Sequence, residues 1–389
     1  MSSPDLSAAE RRAVMGVLDT PNLSIGPQIQ AFEQAFVDFS GLKYAVAVNS
    51  GTAGLHLCVR AAGIGPGDLV LTTPFSFVAS SNVLLFENAI PVYVDVDART
   101  GNMDAIQAAE AARDLAAGGK KAERWLPRKG ARHASPLPLR AMLPVDVFGQ
   151  PADWDALRRT ADEFGLKVIE DSCEALGAEY KGRKAGTFGD TGVFAFYPNK
   201  QITTGEGGVI VTGDEQAARM MMALRNQGRA PGDTWLQHTY LGYNYRLDEM
   251  SAALGVAQMT RLEELLRKRE QVAAWYGERL SEIAGVEAPF VEPATTRMSW
   301  FVYVVRFDTA IDRDALAKRL DGRGIPVRPY FLPIHLQPYM AERFGYREGD
   351  FPVTEDLGRR GLAVPFSGVM SEEQVEIVCQ AVREEVQRA

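Results

Sequence analysis

Apolar positions along the chain fall into short continuous runs separated by amphipathic stretches. Ser7-Ala8-Ala9-Glu10 has the form of a capping box, so a helix is expected to begin there, and the Pro21 to Pro27 region reads as an extended arm. Ile29, Phe32, Phe36 and Phe39 recur at helical spacing, and Gly41 closes that element. Tyr44-Ala45-Val46-Ala47-Val48 then reads as a buried strand. Similar runs return at Asp68 to Pro74, Pro91 to Asp97, Ala141 to Gly149, Gly165 to Glu174, Val193 to Tyr197 and Val209 to Val211. Strands alternating with helices predict an α/β fold, a mostly parallel sheet flanked by helices. Asp248 to about Ile283 reads as a long helix or helix pair. Strands at Ser299 to Val305 and Pro326 to Tyr330, with helices at Arg313 to Leu320 and Glu372 to Arg388, then predict a small α+β domain. The expected organisation is an N-terminal arm and helix over 1–25, a large domain over 26–248 with an insertion around 110–140, and a small C-terminal domain over 249–389.

Composition narrows the class. With 389 residues, 46% of them hydrophobic, the chain can build two substantial cores. A net charge of −8 argues against general nucleic-acid or anionic-membrane binding. No apolar run approaches the length of a membrane helix, and Met1 to Leu6 lacks the basic and apolar regions of a secretion signal. Cys58, Cys173 and Cys379 are scattered, without zinc or disulfide spacing, so a reducing, cytoplasmic setting is expected and no metal.

The chemistry concentrates at strand ends. Lys200 stands on a polar turn between the Val193 to Tyr197 run and the Gly205-Glu206-Gly207-Gly208 return. A partly desolvated lysine there can attack a carbonyl to form an imine, although most lysines extend into solvent. Asp171 and Glu174 end a predicted strand, and such ends face the ligand crevice of an open α/β sheet. An amine converging with a carboxylate suits pyridoxal 5'-phosphate (PLP): the lysine holds the aldehyde as a Schiff base, and the aspartate keeps the pyridine nitrogen protonated. Asn49-Ser50-Gly51-Thr52 turns into a helix whose free N–H groups favour an anion, though such turns also occur without a ligand. Phe77 can stack on a planar heterocycle or pack in the core, and Phe75 reads as core.

Several motifs occur together and in order: Asn49 to Leu55, Pro144-Val145-Asp146-Val147-Phe148-Gly149-Gln150-Pro151-Ala152-Asp153, Glu170-Asp171, Lys200 with Thr204 to Gly208, Gly242-Tyr243-Asn244-Tyr245-Arg246-Leu247, and Pro333-Ile334-His335. In these the chain resembles the DegT/DnrJ/EryC1/StrS family of PLP-dependent sugar aminotransferases, of the aspartate aminotransferase-like fold, from about Ile25 to the C-terminus. The resemblance implies a cytoplasmic homodimer with shared active sites, moving an amino group, usually from L-glutamate, to a keto group of a nucleotide-linked deoxysugar. It implies Lys200 and Asp171 as catalytic residues, and Gly51, Thr52, Phe77, Asp171, Glu174, Lys200 and Asn244 around the cofactor. Asn244 would reach across the dimer interface to the partner's cofactor phosphate. Arg246, Arg328 and His335 would contact substrate.

The chain departs from the family pattern at Ala195, usually serine, and at Asp146, commonly histidine. Glu174 stands where glutamine or histidine is frequent, and if buried it must be paired or protonated. With Asn199-Lys200 and Ile202 to Gly205, it leans towards members that aminate C4. The basic insertion, including Arg124, Arg128, Lys129 and Arg132-His133, can engage a substrate diphosphate or simply face solvent. Three other readings stay open: a transaminase of small amines or cyclitols, a non-catalytic PLP-binding regulator, and a sugar dehydratase, which the resemblance associates with histidine in place of Lys200.

Overall fold

The computed structural model describes residues 3–131 and 138–388. Its strands, in chain order, are β1 (Tyr44–Val48), β2 (Leu69–Thr72), β3 (Ile90–Tyr93), β4 (Leu139–Leu143), β5 (Lys167–Asp171), β6 (Glu179–Tyr180), β7 (Arg183–Lys184), β8 (Thr191–Ala195), β9 (Gly208–Thr212), β10 (Val286–Glu287), β11 (Thr295–Arg297), β12 (Tyr303–Phe307) and β13 (Gly361–Val364). Seven make the central sheet, in the order β1-β9-β8-β5-β4-β2-β3. Only β9 runs against its neighbours, because it is the return of a hairpin that starts in β8. The rest are parallel, so their carboxyl ends lie along one edge, where ligands gather in such sheets.

Both faces of the sheet are covered, which explains why its strands are apolar throughout rather than alternating. On one face Phe32 and Phe36, from the helix Pro27–Ser40, pack against Phe194 and Phe196. That helix begins on Gly26, which offers no side-chain cap. The carboxylate of Glu249 takes its place, accepting the N–H groups of Gly26, Gln28 and Ile29 at 3.0, 2.8 and 3.1 Å. A Cβ on residue 26 would stand 2.7 Å from that carboxylate.

The expected helix over Asp248 to Ile283 is a pair, Glu249–Thr260 and Leu262–Leu280, broken at Arg261. The second helix belongs to two cores. Its Leu262, Leu265 and Leu266 join the cluster of Phe36 and Phe196, while Val272, Tyr276 and Leu280 join Tyr303, Val305, Phe307 and Val375 beneath the sheet β10-β12-β13. The change of core therefore falls inside this helix rather than at 249. Later chain also returns to the first unit. Ile334, Met340, Phe344 and Tyr346 pack with Tyr93 and Trp154, and β11 pairs with β6.

The insertion forms a helix, Ala105–Ala117, and a short one, Gly119–Glu123. Two of its described arginines are already committed. Arg124 pairs with Asp114 at 2.7 Å, and Arg128 holds Asp350 with one contact of 2.7 Å, beside the Pro338–Phe344 helix. Neither is free for a substrate diphosphate; Arg132, His133, Pro136 and Leu137 lie outside the described residues. Among the described residues no helix is long and apolar enough to cross a membrane.

Candidate active site

The parallel strands deliver three groups to one edge. β1 runs into the helix Gly51–Ala61, β5 ends on Asp171, and β8 ends on Ala195 just before the turn that carries Lys200. That turn folds on itself: Lys200 N–H donates to Tyr197 O at 2.9 Å, and Phe196 O accepts Thr204 N–H at 3.1 Å and the Thr203 hydroxyl at 3.0 Å. The result is one cavity of about 460 Å³, within the usual range for small-molecule sites. Gly51, Thr52, Phe77, Asp171, Glu174 and Lys200 all line it.

At one end Ser50 caps the helix, its Oγ accepting Ala53 N–H at 3.1 Å. The N–H groups of Gly51 and Thr52 precede any intrahelical acceptor, and the helix presents its positive end to the cavity. At the floor Asp171 is buried, with Oδ1 accepting Cys173 N–H at 3.2 Å. Burial pushes its carboxyl above the usual range, opposed by Cys173 and by the Lys200 charge. Opposite, Phe77 is 64% exposed at the mouth, while Phe75 is buried against Phe148 and Phe331.

The Lys200 amine is withdrawn from solvent rather than extended into it. Its Nζ lies 3.8 Å from the centre of the Phe301 ring and 3.7 Å from Glu174 Oε1. Glu174 is buried and paired: Oε2 accepts Phe148 N–H at 2.9 Å. Burial raises its pKa, with the Lys200 charge opposing. Asp146 lies behind this floor. It accepts Ala152 N–H at 2.9 Å, the Trp154 indole N–H at 3.1 Å and the Ser172 hydroxyl at 2.6 Å, holding the turn after β4.

A family model, that of the DegT/DnrJ/EryC1/StrS aminotransferase family, matches residues 4–383. The chain belongs to the DegT/DnrJ/EryC1/StrS aminotransferase family. Among curated relatives, it is 37% identical to the GDP-perosamine synthase of Caulobacter vibrioides, covering 98% of this chain and 96% of that one. It is 34% identical to the dTDP-3-amino-3,4,6-trideoxy-alpha-D-glucose transaminase of Streptomyces venezuelae, over 99% and 94%. Among solved structures, S. venezuelae DesV in complex with a ketimine intermediate superposes with a TM-score of 0.86 at 33% identity, covering 98% of this chain and 95% of that one.

For this DegT/DnrJ/EryC1/StrS aminotransferase, four expected site residues stand outside the cavity. Asn244 is exposed, and its carbonyl accepts Asn49 Nδ2 at 3.4 Å. Its neighbours Tyr243 and Tyr245 stack on each other and are anchored by Arg60 and His56. Arg246 lines a separate hollow of about 370 Å³ with Arg225 and Arg229, and donates to Asn226 Oδ1 at 2.9 Å. Arg328 is exposed near Tyr330, whose hydroxyl burial pushes up to about 12 against the pull of that guanidinium. His335 has no exposed surface: its Nε2 meets Glu355 Oε1 at 3.0 Å, and the Phe351 ring covers it. The expected substrate contact from His335 is therefore not made by this arrangement, because the 3-10 turn Ile334–Leu336 faces the first unit's core.

The structure adds wall residues that the sequence reading missed. Phe301, Tyr330 and Phe331, from later in the chain, line the cavity, and Asn199 lines it beside Lys200 with its Oδ1 unpartnered. Phe301 and Tyr330 lay in runs read as strands. The clustering of aromatics at Trp300-Phe301 and Tyr330-Phe331 was the available signal.

Proposed function

We propose that this enzyme is a PLP-dependent aminotransferase that moves an amino group from L-glutamate to a keto group of a nucleotide-linked deoxysugar. One observation carries the reading: an anion-binding helix end, a buried carboxylate and a shielded amine converge in a single cavity from the ends of β1, β5 and β8. The residues fit the cofactor. Gly51 and Thr52 would hold its phosphate, Phe77 would cover one ring face, Asp171 would meet the ring nitrogen, and Lys200 would bond its aldehyde carbon. PLP, when bound, supplies an electron sink for the carbanion formed at the donor's α-carbon.

The chain's own groups do the rest. A cation at the ring nitrogen would favour ionised Asp171 and offset the cost of its burial. The Lys200 amine would be the base that carries the proton away from the donor's α-carbon, and Glu174 stands beside it. Phe301 and Tyr330 exclude water from the same space. The relatives named for GDP- and dTDP-linked sugars support the substrate class. The exposed Asn244, and the exposed Trp235, Leu236 and Leu241 on the loop before it, support a homodimer in which Asn244 reaches the partner's cavity. The free cysteines suit a cytoplasmic setting.

An absorption spectrum of the protein with added PLP, before and after L-glutamate, tests the reading. The visible band of lysine-bound cofactor should appear and then convert to the ultraviolet band of the amine form. Absence of any band would overturn the cofactor, and a band indifferent to glutamate would overturn the donor.

A further inference from the structure

Arg269, on the Leu262–Leu280 helix, is buried without a carboxylate partner. Among the described residues its guanidinium donates hydrogen bonds only to main-chain carbonyls, with the Phe366 ring centre 5.7 Å away. One terminal nitrogen donates to Asn199 O at 3.1 Å and Lys200 O at 2.5 Å, the other to Trp300 O at 3.1 Å and Phe301 O at 3.2 Å. A planar fork can serve two carbonyl pairs at once, and an ammonium on a flexible stem cannot hold that geometry. Burial pulls its pKa down to about 10, so it remains a cation at neutral pH.

The two segments it joins are not paired as strands, and they meet elsewhere through Gln201 Nε2, which donates to Ser299 Oγ at 2.9 Å. One is the turn that carries Lys200, and the other is the loop whose Phe301 ring covers the Lys200 amine. We infer that Arg269 is a positioning residue that fixes the Lys200 turn against the Phe301 loop, keeping the amine beneath that ring and beside Glu174. This rests on the proposed role of Lys200. It adds that the amine is aimed by a residue on the helix shared by both cores, so its placement depends on how the two units pack.

The test needs no cofactor. In the PLP-free protein, acetylation by limiting acetic anhydride, read lysine by lysine by mass spectrometry, reports how well Lys200 is covered. In Arg269→Lys, Lys200 should label about fivefold faster, as a local opening made easier by about 1 kcal/mol would give, with exposed Lys43 and Lys318 unchanged. Phe301→Leu removes the ring and leaves the clamp. It should raise Lys200 labelling similarly, and the double variant should add little. In the loaded enzyme, Arg269→Lys should lower kcat with KM for the donor unchanged. Unaltered Lys200 labelling in folded Arg269→Lys, or full additivity with Phe301→Leu, would overturn the proposal. Should Arg269→Lys not fold, Phe301→Leu decides, and unaltered labelling there overturns it. Failure of the PLP assignment would appear separately, as an unaltered chain that takes up no PLP.

Discussion

Gly51 and Ala195 meet across the floor of the cavity so closely that a Cβ on residue 51 would stand 2.7 Å from the Ala195 methyl carbon and 3.0 Å from Cys173 Sγ. The glycine is required by this approach, not by its backbone angle. Gly51→Ala should push the first helical turn off its seat and weaken PLP binding about tenfold or more, as overpacking by ~1–3 kcal/mol would. Ala195→Gly in the same chain should recover part of the loss, since the Cys173 contact stays. Fluorescence titration with PLP measures both.

Lys200→Ala should abolish turnover and the visible band of lysine-bound cofactor while leaving the fold intact by circular dichroism. Asp171→Asn should retain PLP yet lower kcat by roughly 100-fold or more, because the buried charge opposite the ring nitrogen is gone. Normal turnover in either variant would remove the assignment of that residue.

Asn244 can be tested by mixing. If it completes the partner's cavity, subunits carrying Asn244→Ala and subunits carrying Lys200→Ala should each be weak or inactive alone. Random hybrid dimers would regain one intact site each, for about a quarter of the full activity. No recovery on mixing would place Asn244 in its own subunit's chemistry or outside it.

Much of this site could be read from the chain because its parts sit at strand ends, where local pattern and chemistry coincide. Asp171 and Lys200 each follow a run that reads as a buried strand, and each run is one. What escaped was decided by distant partners. Nothing near Arg128 in sequence announces Asp350, and nothing near Arg269 announces the carbonyls of Asn199 and Trp300. His335 carries a family motif, but which way an imidazole points is set by Glu355 and Phe351, which follow it in the chain. The two-residue strands β6 and β7 are too short to give a periodic signal.

That placement makes His335 a stability residue. His335→Ala should lower unfolding free energy by about 2–4 kcal/mol, by opening space and leaving Glu355 with only its backbone donors Gly349 and Phe351, while KM for either substrate stays unchanged. Denaturant melts and steady-state kinetics separate the two effects. A raised KM with unchanged stability would restore a substrate role.

Acid should loosen the N-terminal helix. Burial alone would raise the Glu10 pKa, but donors from Ser7, Arg261 and Gln258 outweigh it and hold it at about 2, against an ordinary 4.5. A depressed folded-state pKa contributes stability that is complete above the ordinary value and disappears as pH falls through the folded one. The hold of the Ala8–Leu18 helix on Arg261 should therefore weaken between about pH 4.5 and 2, and Glu10→Gln should flatten that dependence. Limited proteolysis of the N-terminal helix across that range measures it.

The return of Ile334, Met340, Phe344 and Tyr346 to the side of Tyr93 and Trp154 also bears on synthesis. During translation the strands of the central sheet leave the ribosome first, and this part of their cover follows only after the helix pair and β12. The nascent chain must carry the apolar surface beside Tyr93 and Trp154 partly uncovered until those residues emerge, an interval in which a growing polypeptide has need of a chaperone.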